Sequence, residues 1–250
     1  KLKFGQNVRD DGPQTHLAKQ GTPTMGGVAF LAAFVITSLF FLKGNRDGAA
    51  IMLMTLCYGL IGFLDDYIKV VKKRSLGLRA YQKLLLQLIV TGLFCSYIMK
   101  SGIGTAIYIP FTDGKMIDLQ LIFIPFLFVA VLGTVNGVNL TDGLDGLAIL
   151  PSALVGIALG IFAYVVGRVD YAAYLNFPYV PGAGEVVVVG GALIGAGLGF
   201  LWYNAYPAQV FMGDVGALAL GGALGTMAII TRQELVLFIM GGVFVMETLS

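Results

Sequence analysis

Polar residues are scarce along this chain, and they fall between long apolar runs. A membrane-spanning helix needs about 20 predominantly apolar residues. Runs near that length occupy residues 24–42, 49–64, 84–99, 119–135, 147–166, 186–203, 215–230 and 235–249. This pattern predicts an all-α polytopic membrane protein with eight transmembrane helices in the chain. Buried strands of a soluble fold would come as shorter runs between turn signals, so length decides for spans. One loop breaks the helical pattern. Between the third and fourth runs, residues 106–109 and 115–119 flank Thr112-Asp113-Gly114. Asp-Gly between two short apolar runs reads as the turn of a short β-hairpin, here on the periplasmic side.

Composition strengthens the reading. Hydrophobic residues make up 57% of the 250 positions and charged residues 12%. Soluble domains average about 25% charged residues. The deficit excludes an ordinary soluble enzyme, a disordered segment and a nucleic-acid-binding module, so no nucleic-acid partner is expected. Glycine, at 35 residues, suits close helix–helix approach in lipid, as in the run holding Gly190, Gly191, Gly195 and Gly197. Cys57 and Cys95 sit inside apolar runs without ligand spacing and read as core residues.

The net charge of +2 matters only through its distribution. Eight spans would place residues 1–23, 65–83, 136–146 and 204–214 on one face, which then carries ten of the 16 Lys and Arg residues. By the positive-inside rule that face is cytoplasmic.

The same face gathers the acids. Asp65 and Asp66 close the second run; Asn136, Asn139, Asp142 and Asp145 lie after the fourth; Asn204 and Asp214 bracket the loop after the sixth. Acids at the edge of lipid are costly and persist where they face a cavity, a cation or a partner. Five Asp residues at one surface repel one another unless a cation sits among them. Oxygen-only ligands point to Mg²⁺ or a similarly hard ion. Lys19 precedes the first run, and Lys69, Lys72, Lys73, Arg74 and Lys83 follow the Asp pair. Carboxylates with a divalent cation and flanking ammonium groups suit phosphoryl or pyrophosphate chemistry. Taken singly the features have plainer readings. Asp65-Asp66 fits an ordinary helix end, and the basic run from Lys69 to Arg74 fits an orientation signal or a lipid-headgroup patch. Their location on one face favours a site.

Four stretches carry a family resemblance: Asp11 to His16 continuing through Gly21-Thr22-Pro23-Thr24-Met25-Gly26-Gly27; Phe63-Leu64-Asp65-Asp66-Tyr67; Asn136 to Ala148; and Asn204 to Gly222. In these the chain resembles the polyprenyl-phosphate N-acetylhexosamine-1-phosphate transferases, and within them the phospho-N-acetylmuramoyl-pentapeptide-transferase branch. The resemblance implies a single integral-membrane transferase domain over residues 1–250, truncated at both ends, from a family of ten-helix proteins of the bacterial inner membrane. It implies transfer of phospho-N-acetylmuramoyl-pentapeptide from its UDP derivative to undecaprenyl phosphate, giving lipid I and UMP with Mg²⁺ in peptidoglycan synthesis. It makes Asp65, Asp66 and Asp214 catalytic, with Asp214 the metal ligand. It assigns Lys19, Thr24, Lys83, Asn139, Asp142, Asp145, Asn204 and Phe211 to substrate binding, Phe211 offering its ring to the uracil. The family's His-rich loop lies past the last residue of this chain, and Ala217 stands where the family usually has Ser. The resemblance also admits a homodimer.

Two other functions fit part of the pattern. A related enzyme would transfer N-acetylglucosamine-1-phosphate, and a transporter would use the acids as a cation path. A transporter expects acids near mid-span, whereas the acids here cluster at the ends of the apolar runs.

Overall fold

The computed structural model describes residues 22–72 and 76–249. Its helices are α1 (Gly27–Phe41), α2 (Arg46–Val71), α3 (Ala80–Ser101), α4 (Phe123–Thr141), α5 (Ile149–Val166), α6 (Val169–Tyr174), α7 (Val186–Asn204), α8 (Gly213–Ile230), α9 (Glu234–Met240) and α10 (Gly242–Leu249). A two-stranded sheet, β1 (Ala106–Tyr108) and β2 (Met116–Asp118), lies between α3 and α4. The chain is thus an all-α polytopic membrane protein with one small hairpin.

Local chemistry sets several helix ends. The Asn45 side chain accepts from Gly48 N at 2.6 Å and caps α2. Gly102, at φ 81°, ends α3 in the left-handed conformation that favours glycine. The hairpin forms where the Asp-Gly turn was expected, antiparallel with Ala106 opposite Asp118 and Tyr108 opposite Met116.

The span count is corrected from eight to six among the described residues. The six are α2, α3, α4 with its 3₁₀ lead-in, α5, α7 with its lead-in, and α8. The first apolar run falls short because its beginning is not helical. Gly26 N donates to Phe211 O and Phe211 N to Pro23 O, so α1 starts only at Gly27. Its 15 residues reach about 22 Å at 1.5 Å per residue, against a hydrocarbon core of about 30 Å. The last apolar run is divided at Gly241-Gly242 into α9, of 7 residues, and α10, of 8. Two adjacent glycines lower helix propensity there, and α10 turns to pack on Gly137 of α4 through Phe244 and Thr248.

Helix α8 is the hub. Every residue from Val215 to Ile230 is buried, and α1, α2, α4 and α5 surround it. Its sequence allows this because it is built largely from Gly, Ala and other compact residues. A Cβ on Gly62 of α2 would collide with the Asp214 carbonyl, one on Gly221 would lie 2.6 Å from Val135 Cα, and one on Gly222 would lie 2.5 Å from the Tyr58 ring. The outer faces carry exposed Ile36, Leu39, Phe40, Leu53, Leu93, Leu154 and Ile161, as expected of helices facing lipid.

At 26 residues α2 is about 39 Å long, and Asp65 stands about 29 Å along it from Arg46. The helix therefore spans the hydrocarbon before it reaches its acids. The far end of α8 makes a tight corner, where Gln233 is 0% exposed and Glu234 1%. Burial pushes the Glu234 carboxyl up to about 8.

Two outcomes follow from this packing. Gly62→Val forces α2 away from α8, a backbone displacement costing about 1–3 kcal/mol or more. It is expected to lower the thermal midpoint in detergent. Glu234 favours its protonated form when folded, so its contribution is complete below the unfolded pKa of about 4.3 and is lost as pH rises to about 8. Thermal midpoints measured across that interval should fall more steeply for the parent than for Glu234→Gln.

Candidate active site

Seven chain segments converge at the Asp214 end of α8. Asp65, Asp66 and Lys69 come from the last turns of α2, and Lys83 from the first turn of α3. Asn139 comes from the last turn of α4, Asp142 and Asp145 from the loop after it, and Asp214 from the first turn of α8. The segment before α1 and the loop after α7 close the group.

The three acids Asp65, Asp66 and Asp214 place one carboxylate oxygen each within 4.8 Å of the others. Asp65 and Asp66 are only 3% and 4% exposed. One oxygen of each acid is fixed by an N–H donor. Leu78 N donates to Asp65 Oδ1 at 2.7 Å, Val215 N to Asp66 Oδ2 at 3.2 Å, and Asn139 Nδ2 to Asp214 Oδ1 at 3.1 Å. The backbone donor at Val215 belongs to the first turn of α8, where unpaired N–H groups and the helix dipole favour an anion.

Among the described residues, the ammonium groups of Lys69 and Lys83 offset the acids. Lys69 Nζ lies 2.6 Å from Asp65 Oδ2, 3.5 Å from Asp66 Oδ1 and 3.1 Å from Asp214 Oδ2. Lys83 Nζ lies 2.9 Å from Asp214 Oδ2 and donates to Asn139 Oδ1 at 3.0 Å. Lys69 is a residue that the sequence left open between a partner of the acids and an orientation or headgroup patch. Its spacing of i+4 from Asp65 and i+3 from Asp66 was the available signal, since these positions share a helix face.

Asp142 is half-buried beside this group. Burial, then the charges of Asp214, Asp66 and Asp145, push its carboxyl well above the usual carboxylate range. Among the described residues, Asp65, Asp66 and Asp214 thus face Lys69 and Lys83. Clustered hard oxygen donors with surplus negative charge fit a divalent cation such as Mg²⁺. Asp65, Asp66 and Asp214 are the residues that could hold it.

The remaining candidates form a rim. Asn204, 2% exposed, accepts from Gly146 N at 3.1 Å and donates to Val210 O at 2.9 Å. Both ends of its amide thus tie two loops together. Asp145 Oδ2 accepts from Ala208 N at 3.1 Å across the same loops. Phe211 is half-buried, and its backbone is paired with Pro23 and Gly26. That pairing brings Thr24 beside Gly213, where an added Cβ would lie 3.3 Å from Thr24 Oγ1 and 2.5 Å from Asp66 Oδ2. Gly213 has φ 73°, so a side chain there is excluded by backbone conformation as well. Lys19 lies outside the described residues. Asn136 stands back from the acids, exchanging amide hydrogen bonds with Gln87 at 2.9 and 3.3 Å.

Residues 48–232 match the description of glycosyl transferase family 4. The chain belongs to this family. Residues 19–31 also match phospho-N-acetylmuramoyl-pentapeptide-transferase signature 1. Family 4 enzymes of this kind are phosphosugar transferases, and the matched stretch contains Asp65, Asp66, Lys83, Asn139, Asp142, Asp145, Asn204, Phe211 and Asp214. The signature has a physical basis here. A Cβ on Gly26 would lie 2.6 Å from the Phe200 ring and Val210, and one on Gly27 would strike the Gly216 backbone. These two glycines let the family signature lie against the start of α8.

Asn204→Ala removes both loop-tying hydrogen bonds and leaves the Gly146 N–H and Val210 carbonyl without that partner. The expected cost is about 1–3 kcal/mol, seen as a lower thermal midpoint, together with a raised KM for the nucleotide substrate.

Proposed function

We propose that this chain transfers phospho-N-acetylmuramoyl-pentapeptide from its UDP derivative to undecaprenyl phosphate, giving lipid I and UMP. The observation that carries this reading is the cluster of Asp65, Asp66 and Asp214 with Lys69 and Lys83 at one end of the helix bundle, beside the signature segment. A polyprenyl phosphate is held by the membrane and a UDP-sugar arrives from water, so both reach a site at helix ends. Lys69, Lys72 and Lys83 at that end favour the cytoplasmic side, and the family resemblance implies a bacterial inner membrane.

A phosphate oxygen of the lipid attacks the sugar-side phosphorus of the donor, and the bond from that phosphorus to the UMP oxygen breaks. Asp65 and Asp66 form the catalytic pair. Their buried carboxylates accept the proton of a protonated lipid phosphate and keep its oxygen nucleophilic. Asp214 would be the principal metal ligand, with Asp65 and Asp66 placed to share the ion. Mg²⁺, if bound there, would neutralise charge on the pyrophosphate. Lys83, anchored on Asp214 and Asn139, presents a positive charge to the same phosphates, and Lys19 and Thr24 bind from the segment before α1. Asp142, Asp145 and Asn139 line the nucleotide-sugar side, with Phe211 stacking on uracil and Asn204 holding the loops that carry these groups.

Purified protein should release UMP from UDP-N-acetylmuramoyl-pentapeptide when undecaprenyl phosphate and Mg²⁺ are both present. Asp214→Asn should lower kcat by about 10²-fold or more, with the thermal midpoint little changed. UDP-N-acetylglucosamine as sole donor should support no release; efficient use of it would move the assignment to the N-acetylglucosamine branch.

A further inference from the structure

The oxygens of the acid cluster divide into two sets. The outer set is Asp65 Oδ1, Asp66 Oδ2 and Asp214 Oδ1, and each accepts from an N–H of the protein: Leu78 N, Val215 N and Asn139 Nδ2. The inner set is Asp65 Oδ2, Asp66 Oδ1 and Asp214 Oδ2. All three inner oxygens lie 2.6 to 3.5 Å from a single atom, Lys69 Nζ. The protein therefore fixes each acid by its outer oxygen and turns all three inner oxygens towards Lys69, with Asp214 Oδ2 shared with Lys83 Nζ at 2.9 Å.

A hard divalent ion would need the same inner oxygens, at about 2.0–2.1 Å for Mg²⁺. An ammonium and a divalent cation of like sign cannot share those three oxygens at bonding distance. One of them has to leave. The two lysines differ in their freedom to do so. Lys83 is held to one side by Asp214 and Asn139, with its side chain 18% exposed. Among the described residues the Lys69 ammonium pairs with the acids alone, on a flexible four-carbon stem and with its side chain 30% exposed, so it has a way out of the cluster.

We propose that Lys69 is an exchangeable internal cation: its ammonium holds the inner oxygens together until the divalent cation takes its place, and it then swings out to solvent. The exchange rests on the metal-dependent reading above. It replaces one positive charge by two within the same three carboxylates and spares the fold the repulsion of bare acids when no metal is bound. It also makes Lys69 a positioning residue that sets apparent metal affinity, because a site filled by its own side chain binds metal only in proportion to the fraction left open.

The test uses the full chain in detergent with Mn²⁺ as the probe. Binding is followed by loss of the free-ion electron paramagnetic resonance signal, and lysine accessibility by brief acetylation read by mass spectrometry. Mn²⁺ saturation is expected to raise Lys69 acetylation several-fold while Lys83 changes little. Lys69→Met is expected to bind Mn²⁺ roughly tenfold tighter than the parent, and Asp214→Asn to lose binding. Mn²⁺ binding that depends on Asp214 but leaves Lys69 acetylation unchanged or reduced overturns the exchange and leaves the metal reading standing. Absence of Asp214-dependent binding in the parent overturns both. The acetylation readout uses the parent protein, so it holds even where Lys69→Met fails to fold.

Discussion

The site depends on how closely α2 can approach α8. Gly62 sits against the Asp214 carbonyl, so the two backbones meet where the acids lie. That contact carries Asp65 and Asp66 to within reach of Asp214, and it aims Val215 N at Asp66. Small residues along α8 extend the same logic to α4 at Gly221 and to α1 at Gly216. In lipid, apolar side chains gain little by leaving their surroundings for each other, so close backbone packing has to hold the helices together. Here that packing also assembles the chemistry.

The second constraint is charge. Carboxylates at a membrane edge survive when donors and cations satisfy them. Each acid of the central trio has a protein N–H on one oxygen and an ammonium facing the other. Asp142 stands outside this arrangement, and the surrounding negative charge drives it towards its neutral form. A divalent cation among the acids would reverse that pressure. The rim residues carry a different duty. Asn204 and Asp145 spend hydrogen bonds on backbone groups of the facing loops, which fixes the wall of the site and leaves the charge to its floor.

Much of this was legible in the sequence, for identifiable reasons. Acids such as Asp65, Asp66 and Asp214 stand out in a chain with so little charge, and alternating spans put them on one face. The hairpin was legible because Asp113-Gly114 has few other uses between two short apolar runs. Lys69 was legible only as one of a basic run, since a basic residue after a span serves lipid headgroups and active sites with the same spacing. The number of spans was misjudged for a different reason. Hydropathy counts apolar residues, but it does not register that residues 23–27 pair with the loop before α8, or that Gly241-Gly242 divides the last run. Asn204 likewise reads as a ligand by motif, and its burial and backbone partners emerge only when two distant loops meet.

The composition of α8 has a consequence for how the protein comes to reside in a bilayer. Its mean hydropathy of 1.5 is the lowest of the six spans, and every residue from Val215 to Ile230 is buried inside the fold. The segment with the weakest affinity for hydrocarbon is thus the one that the finished structure keeps from lipid. Its insertion is a protein–protein event more than a partitioning event, and α2 and α4 supply the solvent it needs. Biogenesis and catalysis therefore lean on the same glycines: the neighbours that retain α8 in the membrane are those that deliver the acids to its end.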